Sequence, residues 1–495
     1  MDRLIDRGPE GSAPLLSSAP LLALVLAALI TIPLVESLYQ IPVQVSDSLE
    51  PITIAATASS VGQLVRQAPR FSPTTLRPMR YVQARWLLNT AAATGRSYRA
   101  VFRGVHVALL ILLIGLFVLA VRVRTWTDLA AFTFAFPVLI GIHTFASMLF
   151  EAFPVNHYAE VGVCALGVFV LALQPPRWFF PIVACALLAL ALSVIESGLM
   201  VWIVVLACVV AGLPGITRST AIATTAVIVA YFLARQALGI TSPGIGGQGS
   251  GFGATFYSGE ALTARFGAHP LGFMAYNVAS GLLSILLSEP RTGVYGTAVW
   301  WKTGTVHPVL IINMISSAMT TAIMIWYVAR RATVRRDAWS EADRMFVVCW
   351  LVISINAGLT AAYIKDEIIS VGGLFYAIAA FVAVRELLDT RLRAGALRRG
   401  TLARDVISSA AFAVLLTATA GLWTFRDLGV HYQLRYDAFK LRNDWAEVLR
   451  ADRREDWPGD PHVLELTRRL RGEAIATRTA SPSFMPRWGD RYWVE

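Results

Sequence analysis

The chain has 495 residues, of which 56% are hydrophobic and only 15% are charged. Its mean hydropathy of +0.58 exceeds what a soluble core needs, which excludes an ordinary soluble protein and indicates a polytopic membrane protein. The net charge of +11 does not indicate a nucleic-acid partner, because much of the arginine lies in short connections between apolar segments. Membrane topology explains that placement more simply.

Apolar segments follow one another along most of the chain, at or near the length of about 17 to 25 residues that crosses a hydrocarbon core. They predict an all-α protein with about eleven transmembrane helices. No small-residue cleavage site follows the first segment, so we interpret it as an uncleaved anchor. The cysteines inside these segments are interpreted as small apolar fillers: Cys164, Cys185, Cys208 and Cys349. The predicted spans are residues 21–39, 105–121, 129–150, 160–173, 179–195, 199–213, 221–238, 309–329, 345–364, 372–386 and 406–425.

Arginine residues predict the orientation of these spans. They concentrate in every second connection between the predicted spans, and these connections lie on the same face as the N-terminus. The positive-inside rule therefore places that face in the cytoplasm and the C-terminus outside. This interpretation requires residues 270–288 to be re-entrant or interfacial. Alternatively, residues 270–288 cross and a weak segment such as 160–173 does not. The arginines are Arg122, Arg124, Arg177, Arg218, Arg330, Arg331, Arg335, Arg336, Arg344, Arg391, Arg393, Arg398, Arg399 and Arg404.

Three regions then project outward. Residues 42–104 and 239–308 are outer loops of a transmembrane module that comprises residues 1–425. Residues 426–495 are charged enough to form a small extracytoplasmic C-terminal region. The glycine-rich start of the second loop is either a flexible linker or a lid over bound substrate.

The first outer loop carries more positive charge than any other short loop on its side, against the rule that orients the rest. Within it, residues 51–68 and 76–93 have the helical periodicity of helices that lie along a membrane surface. Their arginines either extend to ordinary lipid headgroups or hold the phosphate of a specific lipid-linked substrate. The arginines are Arg66, Arg70, Arg77, Arg80, Arg85, Arg96, Arg99 and Arg103.

An acidic pair precedes these arginines. Asp47 and Glu50 stand in VSDSLEPI, a few residues after the first predicted span. A carboxylate beside a loop that holds an anionic leaving group suits general-base activation of an acceptor hydroxyl. The alternative is that both residues cap a helix that begins at Pro51.

This layout resembles the GT-C superfamily of integral-membrane glycosyltransferases. The shared features are the stretch SDSLE after the first span, surface helices in a long first outer loop, about eleven spans and an outer C-terminal region. The resemblance implies an enzyme of a bacterial cytoplasmic (inner) membrane that uses a polyprenyl-phosphate sugar as donor and a glycan, lipid or protein as acceptor. It makes Asp47 the catalytic base and Glu50 its helper or substitute, although no adjacent Asp-Asp or Asp-Glu is present.

The remaining candidates are substrate-binding residues. Family members often carry a second acidic or polar group in the next outer turn, here FEAFPVNHYAE, which contains Glu151, Asn156, His157 and Glu160. Each is either functional or merely solvated, and the resemblance also allows a divalent cation bound with Asp47. His143, inside the third span, is expected to hydrogen-bond to a neighbouring helix. The full set of substrate-binding candidates is Arg77, Arg80, Glu151, His157, Glu160, Glu196, Arg291 and Lys365.

Two other functions stay open. A polysaccharide polymerase or ligase of the O-antigen type also has many spans and a large outer loop, but its key arginines and histidine would lie in the later loop. A secondary transporter or lipid flippase would show internal repeats and charged or broken helices at mid-membrane. Neither feature is clear in the sequence.

Overall fold

The computed structural model describes residues 18–44, 46–71, 75–150, 155–240, 260, 263–264, 267–287, 300–306, 308–361, 364–397, 402–448 and 461–476. For residues 46–48, 70–71, 393–397, 402–409 and 447–448 it describes the backbone alone. The protein is all-helical, with 84% helix and no strand in these ranges.

The helices of the described ranges are numbered in chain order. They are α1 (Ala19–Tyr39), α2 (Ser46–Thr57), α3 (Val61–Phe71), α4 (Pro78–Thr94), α5 (Tyr98–Val121), α6 (Trp126–Gly141), α7 (His143–Phe150), α8 (His157–Ala172), α9 (Phe180–Val194), α10 (Leu199–Ala211), α11 (Arg218–Ala237), α12 (Pro270–Leu287), α13 (Pro308–Arg331), α14 (Glu341–Gly358), α15 (Ser370–Leu397), α16 (Leu402–Val448) and α17 (Pro461–Ala476). A short 3₁₀ turn, Glu196–Gly198, joins α9 to α10.

Six of the described helices are long and apolar enough to cross a membrane: α1, α5, α11, α12, α13 and α15. The consecutive helices α6 and α7 are bent by 54° and together form one further candidate. The protein is therefore a multi-pass α-helical membrane protein, as predicted. Helices α8, α9 and α10 have 16, 15 and 13 residues, fewer than the roughly 20 of a crossing helix. The predicted eleven spans and their orientation therefore stay predictions.

The first part of α15 forms the centre of the bundle. It packs chiefly against α6 and α14 and is buried on every side, which is the behaviour of a helix that is apolar all round. Phe375 of α15 meets Phe169 of α8 edge-on, with ring centroids 5.2 Å apart. The cysteines also agree with the prediction: all are free, and Cys164, Cys208 and Cys349 are buried.

The first loop contains three helices where the sequence predicted two. Residues 51–68 are divided between α2 and α3, whereas the helix predicted at 76–93 corresponds to α4. The break has a local cause. The Ser60 hydroxyl accepts from the Gln63 backbone N–H at 3.2 Å, and the Gln63 side chain accepts from the Ser59 N–H at 2.6 Å. This near-capping box starts a new helix at Val61.

Residues 270–288 form α12, which is long and apolar enough to cross a membrane, so their predicted re-entrant or interfacial position stays a prediction. Asn277 donates to the Ala361 carbonyl, just beyond the end of α14, at 2.9 Å. Near the other end of α12, the Leu286 carbonyl accepts from the Thr321 hydroxyl at 2.6 Å. Thr321 lies about halfway along the 24 residues of α13, a helix roughly 36 Å long. Helix α12 therefore packs against both α13 and α14.

Helix α16 extends from the bundle into the C-terminal region. Its 47 residues make it roughly 70 Å long, so the predicted boundary at residue 425 falls inside a continuous helix. Arg426, predicted to begin an outer tail, is instead buried in the bundle, with 5% of its surface exposed. Helix α17 returns to pack against α2 and α5. The C-terminal region is therefore joined to the first loop.

Candidate functional site

An ion pair joins the first loop to the turn between α9 and α10. Arg77 stands at the N-cap of α4, and its Nε and Nη2 both donate to the same oxygen of Glu196, Oε2, with Nε at 2.9 Å. The two side chains are 13% and 5% exposed. Burial lowers the pKa of Arg77, but Glu196 outweighs burial and holds that pKa above its usual range. The guanidinium is therefore a permanent buried cation.

A second group of contacts joins α4 to α8. Gln83 Nε2 donates to Glu160 Oε1 at 2.5 Å, and His157 Nδ1 lies 3.1 Å from Glu160 Oε2. His157 and Glu160 are one helical turn apart in the first turn of α8, which places them on one face. Asn156 fixes that turn, because its Oδ1 accepts from the Ala159 N–H at 2.8 Å and its Nδ2 donates to the Met148 carbonyl at 2.7 Å. Asn156 is thus a helix cap.

These contacts form one cluster. Helix α4 connects the Arg77–Glu196 pair to the His157–Glu160 pair, because Arg77 stands at its N-cap and Gln83 in its second turn donates to Glu160. The charges of Arg77 and Arg80 also act on the buried His157 ring. Two tyrosines, Tyr158 and Tyr231, lie within electrostatic range of Arg77. We define the Arg77 cluster as Arg77, Arg80, Gln83, His157, Glu160 and Glu196. It lies at the end of the bundle where α1 finishes and α5 and α8 begin, here termed the first-loop end.

Tyr81 relates Glu50, one member of the acidic pair, to this cluster. Its buried phenol is influenced by the charges of Arg80 and Arg77 and by that of Glu50, which is exposed on α2. Burial raises the pKa of Tyr81, and Glu50 acts in the same direction. The phenol therefore stays protonated next to the arginines. The side chain of Asp47 lies outside the described residues, although its backbone belongs to α2.

The connection that leads from α1 to α2 is held by buried side chains. Arg103, only 2% exposed, donates from Nε to the Ile41 carbonyl and from Nη2 to the Pro42 carbonyl, both at 2.8 Å. Trp445 of α16 donates to the next carbonyl, that of Val43, at 2.5 Å. These bonds set the backbone position immediately before the acidic pair. Arg103 belongs to the loop arginines predicted to reach lipid headgroups or a substrate phosphate, and its Nε and Nη2 instead hold the backbone.

The structure brings together five of the predicted substrate-binding residues: Arg77, Arg80, His157, Glu160 and Glu196. Lys365 is placed elsewhere, exposed on the connection before α15, where its neighbour Asp366 lies 3.5 Å from His143. Glu151 and Arg291 lie outside the described residues.

The structure also bears on the capping alternative for the acidic pair. Helix α2 begins at Ser46, so Asp47, Glu50 and Pro51 all lie inside it. The expectation of a helix that begins at Pro51 is therefore wrong, because helical backbone extends one turn further toward the N-terminus.

A second polar cluster, which the sequence analysis missed, lies at the bend between α6 and α7. Arg426 Nε donates to the Gly141 carbonyl at 2.8 Å, and its Nη1 lies 2.9 Å from the hydroxyls of Ser316 and Ser317. His143, as expected, hydrogen-bonds to a neighbouring helix, with Nε2 at 2.9 Å from Ser284 Oγ of α12. The available signal was a charged pair, Arg426 and Asp427, directly after an apolar segment.

Known proteins give no direct guide to this site. No protein family, no curated protein and no solved structure matches the chain. Within the described residues, no three His, Cys, Asp or Glu side chains are grouped as ligands of a metal ion.

Proposed function

We propose that this protein is a membrane glycosyltransferase that transfers a sugar from a polyprenyl-phosphate donor to an acceptor at the extracytoplasmic face of a bacterial cytoplasmic membrane. The observation that supports this proposal is the meeting of Arg77, Arg80, His157, Glu160 and Glu196 at the first-loop end. These residues come from three separate parts of the chain. Burying ionisable groups inside an apolar bundle is costly, so a gathering of this kind marks a candidate functional site.

The arginines of the Arg77 cluster suit the leaving group of such a reaction. In the proposed complex the donor phosphate lies against Arg77 and Arg80, and a phosphate oxygen accepts the two Arg77 donors that Glu196 Oε2 accepts in the free protein. Guanidinium groups bind phosphate in the same paired geometry as carboxylate. As the sugar is transferred, negative charge grows on the phosphate, and fixed cations in a buried site stabilise that charge.

The acidic pair supplies the base. In the proposed reaction Asp47 takes the proton of the acceptor hydroxyl while the hydroxyl oxygen forms a bond to the anomeric carbon. The bond between that carbon and the phosphate oxygen breaks, and polyprenyl phosphate leaves with the electron pair. Glu50 is the helper or the substitute base, and its exposed position on α2 is compatible with either role. Glu160 and Gln83 offer acceptors and donors for sugar hydroxyls.

A secondary transporter or lipid flippase is the second candidate, and one observation favours it. The bend of 54° between α6 and α7 places Arg426, Asp427 and His143 beside a broken helix inside the bundle. Broken helices with charged groups are the usual substrate sites of transporters. The third function predicted as open, an O-antigen-type polymerase or ligase, has no comparable support in the described residues.

The test uses a strain that lacks the gene, complemented with wild-type protein, Asp47→Asn, Arg77→Gln or Arg96→Gln. Arg96 is an exposed arginine of the same loop and serves as the matched control. Mass spectrometry of envelope glycans and lipid-linked sugars is expected to show an accumulated lipid-linked sugar with the first two variants and none with the control. Wild-type levels in Asp47→Asn and Arg77→Gln cells would refute the glycosyltransferase.

A second measurement separates the two candidates. Purified protein in detergent micelles has no membrane to transport across, so only a transferase will release polyprenyl phosphate from its donor there. Release in detergent that disappears in Asp47→Asn supports the enzyme. Accumulation in cells together with no release in detergent, under any acceptor tested, favours the transporter.

A further inference from the structure

A cavity lies at the end of the bundle opposite to the Arg77 cluster. It has a volume of about 90 Å³ and is lined by apolar residues of α5, α14 and α15 together with five charged residues: Arg122, Arg124, Asp128, Glu341 and Arg385. Arg122 also donates to the Leu173 carbonyl, immediately after α8, whereas the Arg77 cluster is at the first turn of that helix. The volume is enough for several water molecules or one phosphate group.

The acidic residues of this cavity already have cationic or N–H partners. Asp128 Oδ2 accepts from the backbone N–H groups of Arg124 and Thr125, both at 2.9 Å, and Oδ1 lies 2.7 Å from Arg385 Nε. Glu341 accepts from Arg122 Nη1 at 2.6 Å. The carboxylates therefore do not compete for the remaining arginine donors.

Two arginines of the cavity keep unused donors. Within the described part of the chain, the Arg124 side chain makes no hydrogen bond or ion pair, and the Arg385 side chain makes one ion pair, from Nε to Asp128 Oδ1. The lining carries three arginines against two carboxylates, which leaves one net positive charge. Free guanidinium donors beside a cavity of this size favour an anion that accepts several hydrogen bonds.

Backbone strain marks the same place. Arg122 has φ of +49°, and within the described residues it is the one non-glycine residue with positive φ. L-residues rarely adopt this conformation, and glycine or asparagine would adopt it more readily. A residue keeps a strained backbone conformation where the surrounding structure holds it, and such residues cluster at functional sites. Here that side chain contacts Glu341 and the Leu173 carbonyl at the cavity wall.

We propose that this cavity binds a phosphate group through Arg124 and Arg385, with Arg122 fixing the wall beside it. The apolar part of the lining favours a phosphate carried by a lipid, because an amphipathic ligand places its headgroup at arginines and its chain along apolar side chains. A soluble phosphate is the other source of the same chemistry. The proposal does not depend on the glycosyltransferase function.

The experiment compares wild-type protein with Arg124→Gln, the double variant Arg124→Gln/Arg385→Gln, and Arg335→Gln. Arg335 is a highly exposed arginine that is paired with Asp337 and is not part of the cavity lining, which makes it the matched control. Each purified full-length protein is placed in phosphatidylcholine nanodiscs with a minor fraction of phosphatidylglycerol, and retained lipid is measured by native mass spectrometry. A parallel arm measures thermal stabilisation by inorganic phosphate against chloride at equal ionic strength.

The expected result is that wild type and Arg335→Gln retain phosphatidylglycerol in preference to phosphatidylcholine, and that the double variant retains about tenfold less, as for the loss of one charge-assisted hydrogen-bond pair. Arg124→Gln shifts retention in the same direction and separates binding from folding, because the Arg124 side chain makes no hydrogen bond or ion pair within the described residues. Retention of phosphatidylglycerol would show that the bound phosphate group belongs to a lipid. Stabilisation by inorganic phosphate without lipid retention would show that it belongs to a soluble ligand. Failure of both arms, or an equal loss in Arg335→Gln, would overturn the proposal.

Discussion

Arg77 and Arg426 are both buried cations in an apolar bundle, yet their partners differ in kind. Arg77 donates twice to a carboxylate, that of Glu196, from a separate turn. Arg426 is held by the Gly141 carbonyl at the end of α6 and by hydroxyls of α13, and its guanidinium lies 3.8 Å from the Trp423 ring centroid. A carboxylate partner can be exchanged for another anion, such as a phosphate group. A backbone carbonyl at a helix end cannot be exchanged without undoing the bend.

The difference assigns separate roles to the two clusters. The cluster at the bend satisfies the free carbonyl at the end of α6 with a cation, as helix termini require, and so stabilises the fold. The Arg77 cluster keeps its cation against an exchangeable anion, as a binding site requires. Gly141 supports the structural interpretation, because an added Cβ there would lie 2.8 Å from Asp427 Oδ1 and 3.0 Å from the Trp423 carbonyl oxygen.

The largest expected effect concerns Arg426. Arg426→Met removes a guanidinium that serves a buried carbonyl and two hydroxyls, and leaving such groups unsatisfied costs about 3 kcal/mol or more in total. The unfolding temperature in detergent, followed by tryptophan fluorescence, should fall sharply. In Arg426→Lys the unfolding temperature should fall less. If Arg426→Met unfolds at the wild-type temperature and instead loses a transport signal, the structural role is wrong and the transporter gains support.

The next effect concerns Arg77. Arg77→Gln is expected to lower glycosyl transfer about 100-fold, the usual loss for one charge-stabilising group, with a smaller drop in unfolding temperature than Arg426→Met. Glu196→Gln should retain more activity, because Glu196 holds Arg77 and does not contact the leaving group. The double variant Arg77→Gln/Glu196→Gln provides the control. Recovery of activity in that double variant would mean that the pair serves only the fold.

A smaller effect is expected for Arg103, which holds the connection before Asp47. Arg103→Lys cannot donate to the Ile41 and Pro42 carbonyls in the same forked geometry. We expect kcat to fall about tenfold, with KM for the donor little changed, because misplacing a base affects the transition state more than binding. Trp445→Phe removes the bond to Val43 and should act in the same direction. A rise in KM at constant kcat would contradict this positioning role.

The smallest effect depends on pH. Burial raises the pKa of Asp437 to about 7, although Lys440, Gln433 and Arg103 act in the opposite direction. The unfolded carboxyl titrates near 4, so folding takes up a proton between these values and stability falls as pH rises from about 4 to 7. Asp437→Asn should therefore raise the unfolding temperature more at pH 8 than at pH 5. An equal shift at both pH values would mean that the Asp437 charge is not involved.

The sequence was informative wherever the signal was local. Hydropathy predicted α1, α5 and α13, and helical periodicity predicted α4. Helical periodicity did not reveal the break between α2 and α3. The hydrogen bonds of Ser59, Ser60 and Gln63 interrupt the helix, but the spacing of apolar residues in the sequence continues across the break. The sequence also placed Arg426 in a tail, because a charge after an apolar run is a sign of a span end, and here the helix continues.

For the candidate site, residue type, position along the predicted spans and loops, and the family resemblance selected Arg77, Arg80, His157, Glu160 and Glu196, which the structure brings together. By itself the sequence therefore determined a multi-pass α-helical protein and a set of polar residues that an apolar bundle does not hold without reason. Only the tertiary structure decided which of them meet. Arg77 and Glu196 are 119 residues apart, and Arg426 and Gly141 are 285 apart. Such contacts depend on how whole helices pack, whereas hydropathy and helical periodicity describe only neighbours along the chain.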